Sequence, residues 1–258
     1  MKFPSDMQSD TFSQTNYACR FEWGRDGAAA AEARGDLVVI VDALCFSTTA
    51  ITAVNNGGII YPSIDEDDRD EIVEKHKAVK AVRRDEVPND GMFSLSPETF
   101  QMIEKGTKVV LTSPNGSYCC RCASKSPKLL LGAFVNARSV GEAVTSILDQ
   151  TDMAVTVIAC GERWQNPQED GELRFAVEDF LAAGAIFSYM MHDKSPEARV
   201  CEAAFSELEN QLDEIIWECT SGLELRNKGY GHDVSFAAQL NIFDTIPILD
   251  VDKLVKVK

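Results

Sequence analysis

Histidine is scarce in this chain: three residues in 258, at positions 76, 192 and 232. His76 sits in a charged run and His192 at an expected helix end, so both read as solvated. No Gly-x-Ser-x-Gly elbow is present, which leaves an α/β-hydrolase triad without a nucleophile. No Gly-x-Gly-x-x-Gly or Gly-x-x-x-x-Gly-Lys-Ser/Thr segment occurs either, so dinucleotide and P-loop binding lack support. No stretch of some 20 apolar residues exists to span a membrane. Basic residues are few: 25 Lys and Arg against 41 Asp and Glu, for a net charge of −16. Such a surface repels nucleic acid and anionic membranes, so neither is an expected partner. It repels small anions too. A phosphate site here needs local N–H donors, an Arg or a bound cation.

The eight cysteines follow no framework spacing. Cys119-Cys120-Arg121-Cys122 has no second paired cluster and no neighbouring His. They read as buried or free thiols of a reducing, cytoplasmic setting, in preference to disulfides or zinc ligands. Residues 1–14 are polar, without a signal-peptide core, and are expected to form a flexible tail. Residues 15–258 read as a single α/β domain. The charged stretch 64–90 is the one plausible boundary between two lobes.

What is present is a strand-to-helix pattern. Leu37-Val-Val-Ile-Val41 is a short β-branched run that predicts a buried strand, and it ends on Asp42. Ser47, Thr48 and Thr49 open a helix that stops at Asn56-Gly57-Gly58. Further strands are expected at 59–62, 107–112, 128–131 and 153–159. Helices are expected at 97–105, 117–124, 136–149 and 172–190, with a loop over 161–171. A last strand at 246–249 is expected on a sheet edge because of Pro247. The alternation predicts a three-layer α/β/α fold with a largely parallel or mixed sheet.

Polar residues recur just after these strands. Asp42 and the hydroxyls of Ser47, Thr48 and Thr49 follow one; Ser113, Asn115, Gly116 and Ser117 another; Asn136 a third; Glu162 and Arg163 a fourth. In a parallel sheet such segments emerge on one side and converge on a crevice. Asp42 suits a metal ligand, nucleophile or general base, and equally a helix cap. The turn 113–117 joins strand to helix, so its N–H groups and the Ser117 hydroxyl suit an anion. Its Asn-Gly pair also suits a plain turn. Arg163 is a candidate bidentate ligand for phosphate or sulfonate. Glu172, Glu178 and Asp179 fall on the next expected helix, where carboxylates compensate a dipole or hold Mg²⁺. Asp233, after Gly229-Tyr230-Gly231-His232, is a weaker candidate.

At these residues the chain resembles the 2-phosphosulfolactate phosphatase (ComB-like) family. The motifs that match are Asp42-Ala-Leu-Cys45-Phe-Ser47-Thr48-Thr49, Ser113-Pro-Asn115-Gly116-Ser117 and Gly132-Ala-Phe-Val-Asn136-Ala137. They continue with Ala159-Cys160-Gly161-Glu162, Ala176-Val-Glu178-Asp179, Ala183-Gly184-Ala185-Ile186 and, loosely, Ser221-Gly222-Leu223 through Gly229 and Asp233. The order is kept from about Asp36 to Leu249. The resemblance implies a three-layer fold, Mg²⁺ dependence and hydrolysis of a phosphate monoester to sulfolactate and phosphate. Three departures stand out. The family's Arg after Asp-x-Leu is Cys45 here. Its Arg-Gly-Gly segment is replaced by Arg83-Arg84-Asp85, and its Gly-Asn-Ser-Pro by Leu95-Ser96-Pro97. Arg163, as in one branch of the family, is expected to substitute for the missing cation.

Together these point to a Mg²⁺-dependent phosphatase for a small acidic phosphate ester, expected to be a homodimer. Asp42, with Glu178 and Asp179, is expected to hold the metal. Asp42, Glu162 and Arg163 carry the catalysis. Ser47, Thr48, Thr49, Ser113, Asn115, Gly116, Ser117 and Asn136 bind substrate or phosphate. An aspartyl-phosphate mechanism of the haloacid dehalogenase type needs a second Asp two residues on, where Leu44 stands. The alternative outside catalysis is a family member that binds a small anion without turnover.

Overall fold

The computed structural model describes residues 12–168 and 171–257. Residues 1–11 of the expected tail lie outside the described residues. Gln14 is held in place, since its side-chain amide accepts from the Phe21 N–H and donates to the Phe21 carbonyl.

The chain begins with strand β1 (Cys19–Trp23), helix α1 (Gly24–Arg34), strand β2 (Leu37–Val41), helix α2 (Phe46–Asn55) and strand β3 (Ile59–Ser63). The charged stretch supplies α3 (Glu66–His76) and the short β4 (Val79–Lys80). Next come β5 (Lys108–Thr112), α4 (Gly116–Cys122), β6 (Leu129–Gly132), α5 (Ala137–Leu148) and β7 (Val155–Ala159). A hairpin of β8 (Glu162–Gln168) and β9 (Gly171–Arg174) leads into α6 (Val177–Phe187). Helices α7 (Pro196–Leu208), α8 (Leu212–Glu218), α9 (Thr220–Asn227) and α10 (Gly231–Ala237) precede a closing hairpin of β10 (Pro247–Asp250) and β11 (Lys253–Lys256).

Nine strands form one mixed sheet in the order β1-β7-β2-β6-β10-β11-β3-β5-β4, with β8 and β9 apart. Every residue of β2 is fully buried, and alternate side chains enter different cores. Leu37, Val39 and Val41 pack with α5, α6 and α7, while Val38 and Ile40 pack with α1, α2 and α4. A sheet covered on both faces makes three layers, and period-two burial explains why an all-apolar run is needed here. Fully burying each such side chain is worth about 1.5–3 kcal/mol.

The β10–β11 hairpin matters for the site. It places three successive antiparallel pairings between β6 and β3. In a flat sheet the carboxyl ends of β2 and β5 would then lie on opposite rims. They meet instead, because strand twist accumulates over the intervening steps. The sheet curls around α2, which touches β6, β10, β11 and β3 and is buried from Phe46 to Val54.

Several expected elements differ. Residues 97–105 form only a 3-10 turn, Pro97–Phe100, because Thr99 spends its hydroxyl on the Ser96 carbonyl at 2.8 Å. The expected loop 161–171 is the hairpin β8–β9, in which Glu162 pairs with Arg174 and Arg163 with Leu173. That pairing claims residues 171–174, so α6 starts at Val177 and Glu172 belongs to a strand. Pro247 does not mark an edge. It opens β10, between β6 and β11, where a first strand residue needs no ladder N–H.

Candidate active site

Asp42 leaves the carboxyl end of β2 into a pocket of backbone donors. Its Oδ1 accepts the Phe46 N–H at 3.1 Å. Its Oδ2 accepts the Gly116 N–H at 2.8 Å and the Ser113 hydroxyl at 3.2 Å. Phe46 and Gly116 are the first residues of α2 and α4, so one carboxylate takes up the positive ends of two helices. The cap reading of Asp42 is what these hydrogen bonds show. Gly116 is obligatory for this approach: a Cβ there would stand 2.7 Å from Asp42 Oδ2 and 2.3 Å from the Phe46 ring.

The hydroxyls expected to cradle phosphate mostly shape the turn. Ser47 accepts from the Asp42 N–H at 3.0 Å, and Thr48 donates to the Ala43 carbonyl at 2.8 Å. Ser117 donates to the Leu111 carbonyl at 3.2 Å. The Ser113 hydroxyl also accepts from the N–H groups of Asn115 and Gly116. Thr49 keeps a buried hydroxyl without a partner. Asn136 is fully buried and ties the Ala133 N–H to the carbonyls of Leu131 and Thr245. Its amide is committed to the packing of the β6 end against the chain before β10.

Three more carboxyl groups gather around Asp42. Glu178 and Asp179 sit in the first turn of α6, 3% and 4% exposed. Asp179 stitches two loops together, accepting the Ala43 N–H at 2.7 Å and the Gly161 N–H at 2.9 Å. Asn115 donates its side-chain amide to Glu162, the first residue of β8. Burial lifts the Asp179 carboxyl well above the usual range, and the charges of Asp42 and Glu178 add to the rise. Burial also raises Asp42, with Glu178 adding to the rise and its three hydrogen bonds opposing it. Glu162 is pushed up to about 7, first by desolvation and then by Asp42. A carboxyl in that position is about half protonated at neutral pH and can exchange its proton, as general acid–base work requires.

Among the described residues no three His, Cys, Asp or Glu side chains form a ready cation cage. Mg²⁺ does not demand one, since it keeps several waters and takes one or two carboxylates. Buried oxygen donors whose mutual repulsion favours protonation suit a hard divalent cation, which would remove that repulsion. Asp42 and Asp179 meet this chemical condition, and Glu178 lies buried beside them.

Two cavities flank the cluster. Asp42, 5% exposed, lines neither. One of about 400 Å³ is bordered by Glu162, Arg163, Asn115, Cys119, Cys160 and Arg25, which brings together the residues expected after β5 and β7. The other, of about 1020 Å³, lies over the ends of β4 and β5 and receives Arg84, Lys80 and Tyr230.

The cation beside Cys45 is Arg84, whose charge acts on the buried thiol; Arg163 borders the other cavity. Arg84 Nε donates to Asp233 Oδ2 at 2.8 Å, and Ser96 donates to Asp233 Oδ1 at 2.5 Å. Sequence reasoning ranked Asp233 low and gave Arg84 no role. The available signal was the place of Arg83-Arg84 where the family carries Arg-Gly-Gly. Cys219 was also missed; its thiol lies 3.6 Å from Glu178 Oε2 and accepts the Gly222 N–H.

The sequence pattern described as 2-phosphosulpholactate phosphatase matches residues 26–252. A probable 2-phosphosulfolactate phosphatase of Clostridium novyi is 25% identical over 228 residues, 85% of this chain and 91% of its own length. One of Carboxydothermus hydrogenoformans is 29% identical over 222 residues, covering 81% and 84%. The 2-phosphosulfolactate phosphatase of Methanocaldococcus jannaschii is 26% identical over 228 residues, covering 85% and 91%.

Proposed function

Because the chain belongs to the 2-phosphosulpholactate phosphatase family, we propose that it hydrolyses 2-phosphosulfolactate, or a closely related small acidic phosphate monoester, to the alcohol and phosphate with the help of Mg²⁺. The observation that carries this reading is the convergence of Asp42, Glu162, Glu178 and Asp179, with Glu162 poised at about 7. Asp42, Glu178 and Asp179 would hold the cation. When bound, it supplies charge neutralisation for phosphoryl oxygens and acidifies a water. Asp42 is fixed by two N–H groups and a hydroxyl, so its oxygens do not reorganise during reaction. Glu162, about half protonated at neutral pH and steadied by Asn115, would in its acid form give its proton to the leaving alcohol oxygen. Arg163 stands beside it on the 400 Å³ cavity, placed to bind a phosphoryl oxygen.

Two further parts of the reading concern its setting. All eight cysteines are free thiols, which supports a reducing cytoplasmic location. No described helix is long and apolar enough to cross a membrane. A homodimer is the expected assembly. The test is phosphate release from 2-phosphosulfolactate and from p-nitrophenyl phosphate, with Mg²⁺ or with EDTA. Mg²⁺-dependent release supports the reading; binding of the ester without release at any Mg²⁺ concentration replaces it with the non-catalytic one.

A further inference from the structure

Beside four carboxylates, five cationic side chains line the 1020 Å³ cavity: Arg69, Lys80, Arg83, Arg84 and Lys228. Three are committed to neighbouring carboxylates. Arg69 pairs with Asp70, Arg83 with Asp85 and Lys228 with Glu224. Lys80 makes no ion pair among the described residues. Arg84 differs from the others in burial and in how it is held. Its side chain is 17% exposed, and its one carboxylate partner, Asp233, is fully buried. That bond uses Nε, one of the five N–H donors of a guanidinium. Tyr230 lies 5.3 Å from the guanidinium carbon and faces the same cavity. Ser96 holds the far oxygen of Asp233, so the carboxylate that positions Arg84 is itself positioned.

The guanidinium is planar by resonance, and the bond through Nε fixes its orientation. Its fork of terminal NH₂ groups matches the paired oxygens of a carboxylate or sulfonate. On the Asp42 side the Cys45 thiol, a weak partner, lies near it. We propose that Arg84 is the specificity residue of this site, and that it recognises the acidic group, carboxylate or sulfonate, that the substrate carries besides its phosphate. This rests on the phosphatase reading above and extends it to substrate choice. Asp233 and Ser96 are positioning residues, acting only through Arg84.

The experiment compares wild type with R84K and R84Q on two esters, 2-phosphosulfolactate and the acid-free p-nitrophenyl phosphate. R84K keeps a cation beside Asp233, so it guards against loss of folding in R84Q; thermal melts report which variants are folded. Losing charged hydrogen bonds to the acid group raises KM for phosphosulfolactate roughly 10- to 100-fold in R84K. The KM for p-nitrophenyl phosphate stays within about threefold, and kcat on it is retained. An equal loss on both esters, or on neither, overturns the proposal. Should wild type release no phosphate from any ester, the function reading fails. The inference is then decided by calorimetric binding of sulfolactate, the phosphate-free probe. Binding to wild type that weakens about tenfold or more in R84K upholds it, and equal binding or none to wild type overturns it.

Discussion

Replacing Glu162 by Gln separates catalysis from stability, because the two respond in opposite directions. The carboxyl is raised from 4.5 to about 7 in the fold, by desolvation first and by the Asp42 charge second. A pKa unit corresponds to about 1.4 kcal/mol, so the shift disfavours the ionised form by about 3 kcal/mol before solvent screening of this half-buried group is discounted. An acid whose folded pKa lies above its unfolded value binds its proton more tightly when folded. Its contribution is complete below pH 4.5 and is lost as pH rises to about 7, so the native chain is penalised above neutrality. Gln cannot ionise and still offers an oxygen to Asn115. E162Q is therefore expected to melt like wild type near pH 4 and several degrees higher at pH 8, with about 2–4 °C for each kcal/mol recovered. Its kcat falls roughly 10²- to 10⁴-fold, the usual range for loss of a general acid. Thermal denaturation of both proteins from pH 4 to 8 reads the effect. A melting difference that does not change with pH, or that grows towards acid, would falsify the assigned environment of Glu162.

Three other perturbations follow from the same geometry. Gly116→Ala forces a Cβ into the Phe46 ring and Asp42 Oδ2, so denaturant titration is expected to record about 1–3 kcal/mol of lost stability, with activity lost as well. Asp179→Ala leaves the buried N–H groups of Ala43 and Gly161 without an acceptor; an expected cost of about 2–4 kcal/mol should appear in the same titration, while Asp179→Asn retains part of it. Millimolar Mg²⁺ should raise the melting temperature at pH 8 more than at pH 5, because only the ionised carboxylates gain from it; an equal rise at both pH values counts against a cation at Asp42, Glu178 and Asp179.

The parts of this site that were legible are local. Five buried residues running into Asp42 announce a strand end, and Ser47 to Thr49 announce the helix after it. Asn115-Gly116 was legible as a turn, but not as the one place where a Cβ would collide with Asp42. The 162–174 hairpin read as a loop over 161–171 running into a helix from 172, because its strands pair with each other outside the main sheet. The β10–β11 hairpin lay beyond local pattern, and it decides how the β5 end reaches the β2 end. Arg84 meets Asp233 across 149 residues of chain, so no spacing rule joins them. Hydroxyl chemistry alone does not say whether Ser47, Thr48 and Ser117 turn to a ligand or to the backbone, and all three turn to the backbone.

The pH–rate profile of phosphate release from 2-phosphosulfolactate, taken with Mg²⁺ for wild type and Asp42→Asn, reads the central claim most directly. Wild type should lose rate as pH rises and Glu162 gives up its proton. Asp42→Asn should lose at least about 100-fold in kcat. A variant that turns over at the wild-type rate would place the chemistry somewhere other than the carboxyl end of β2.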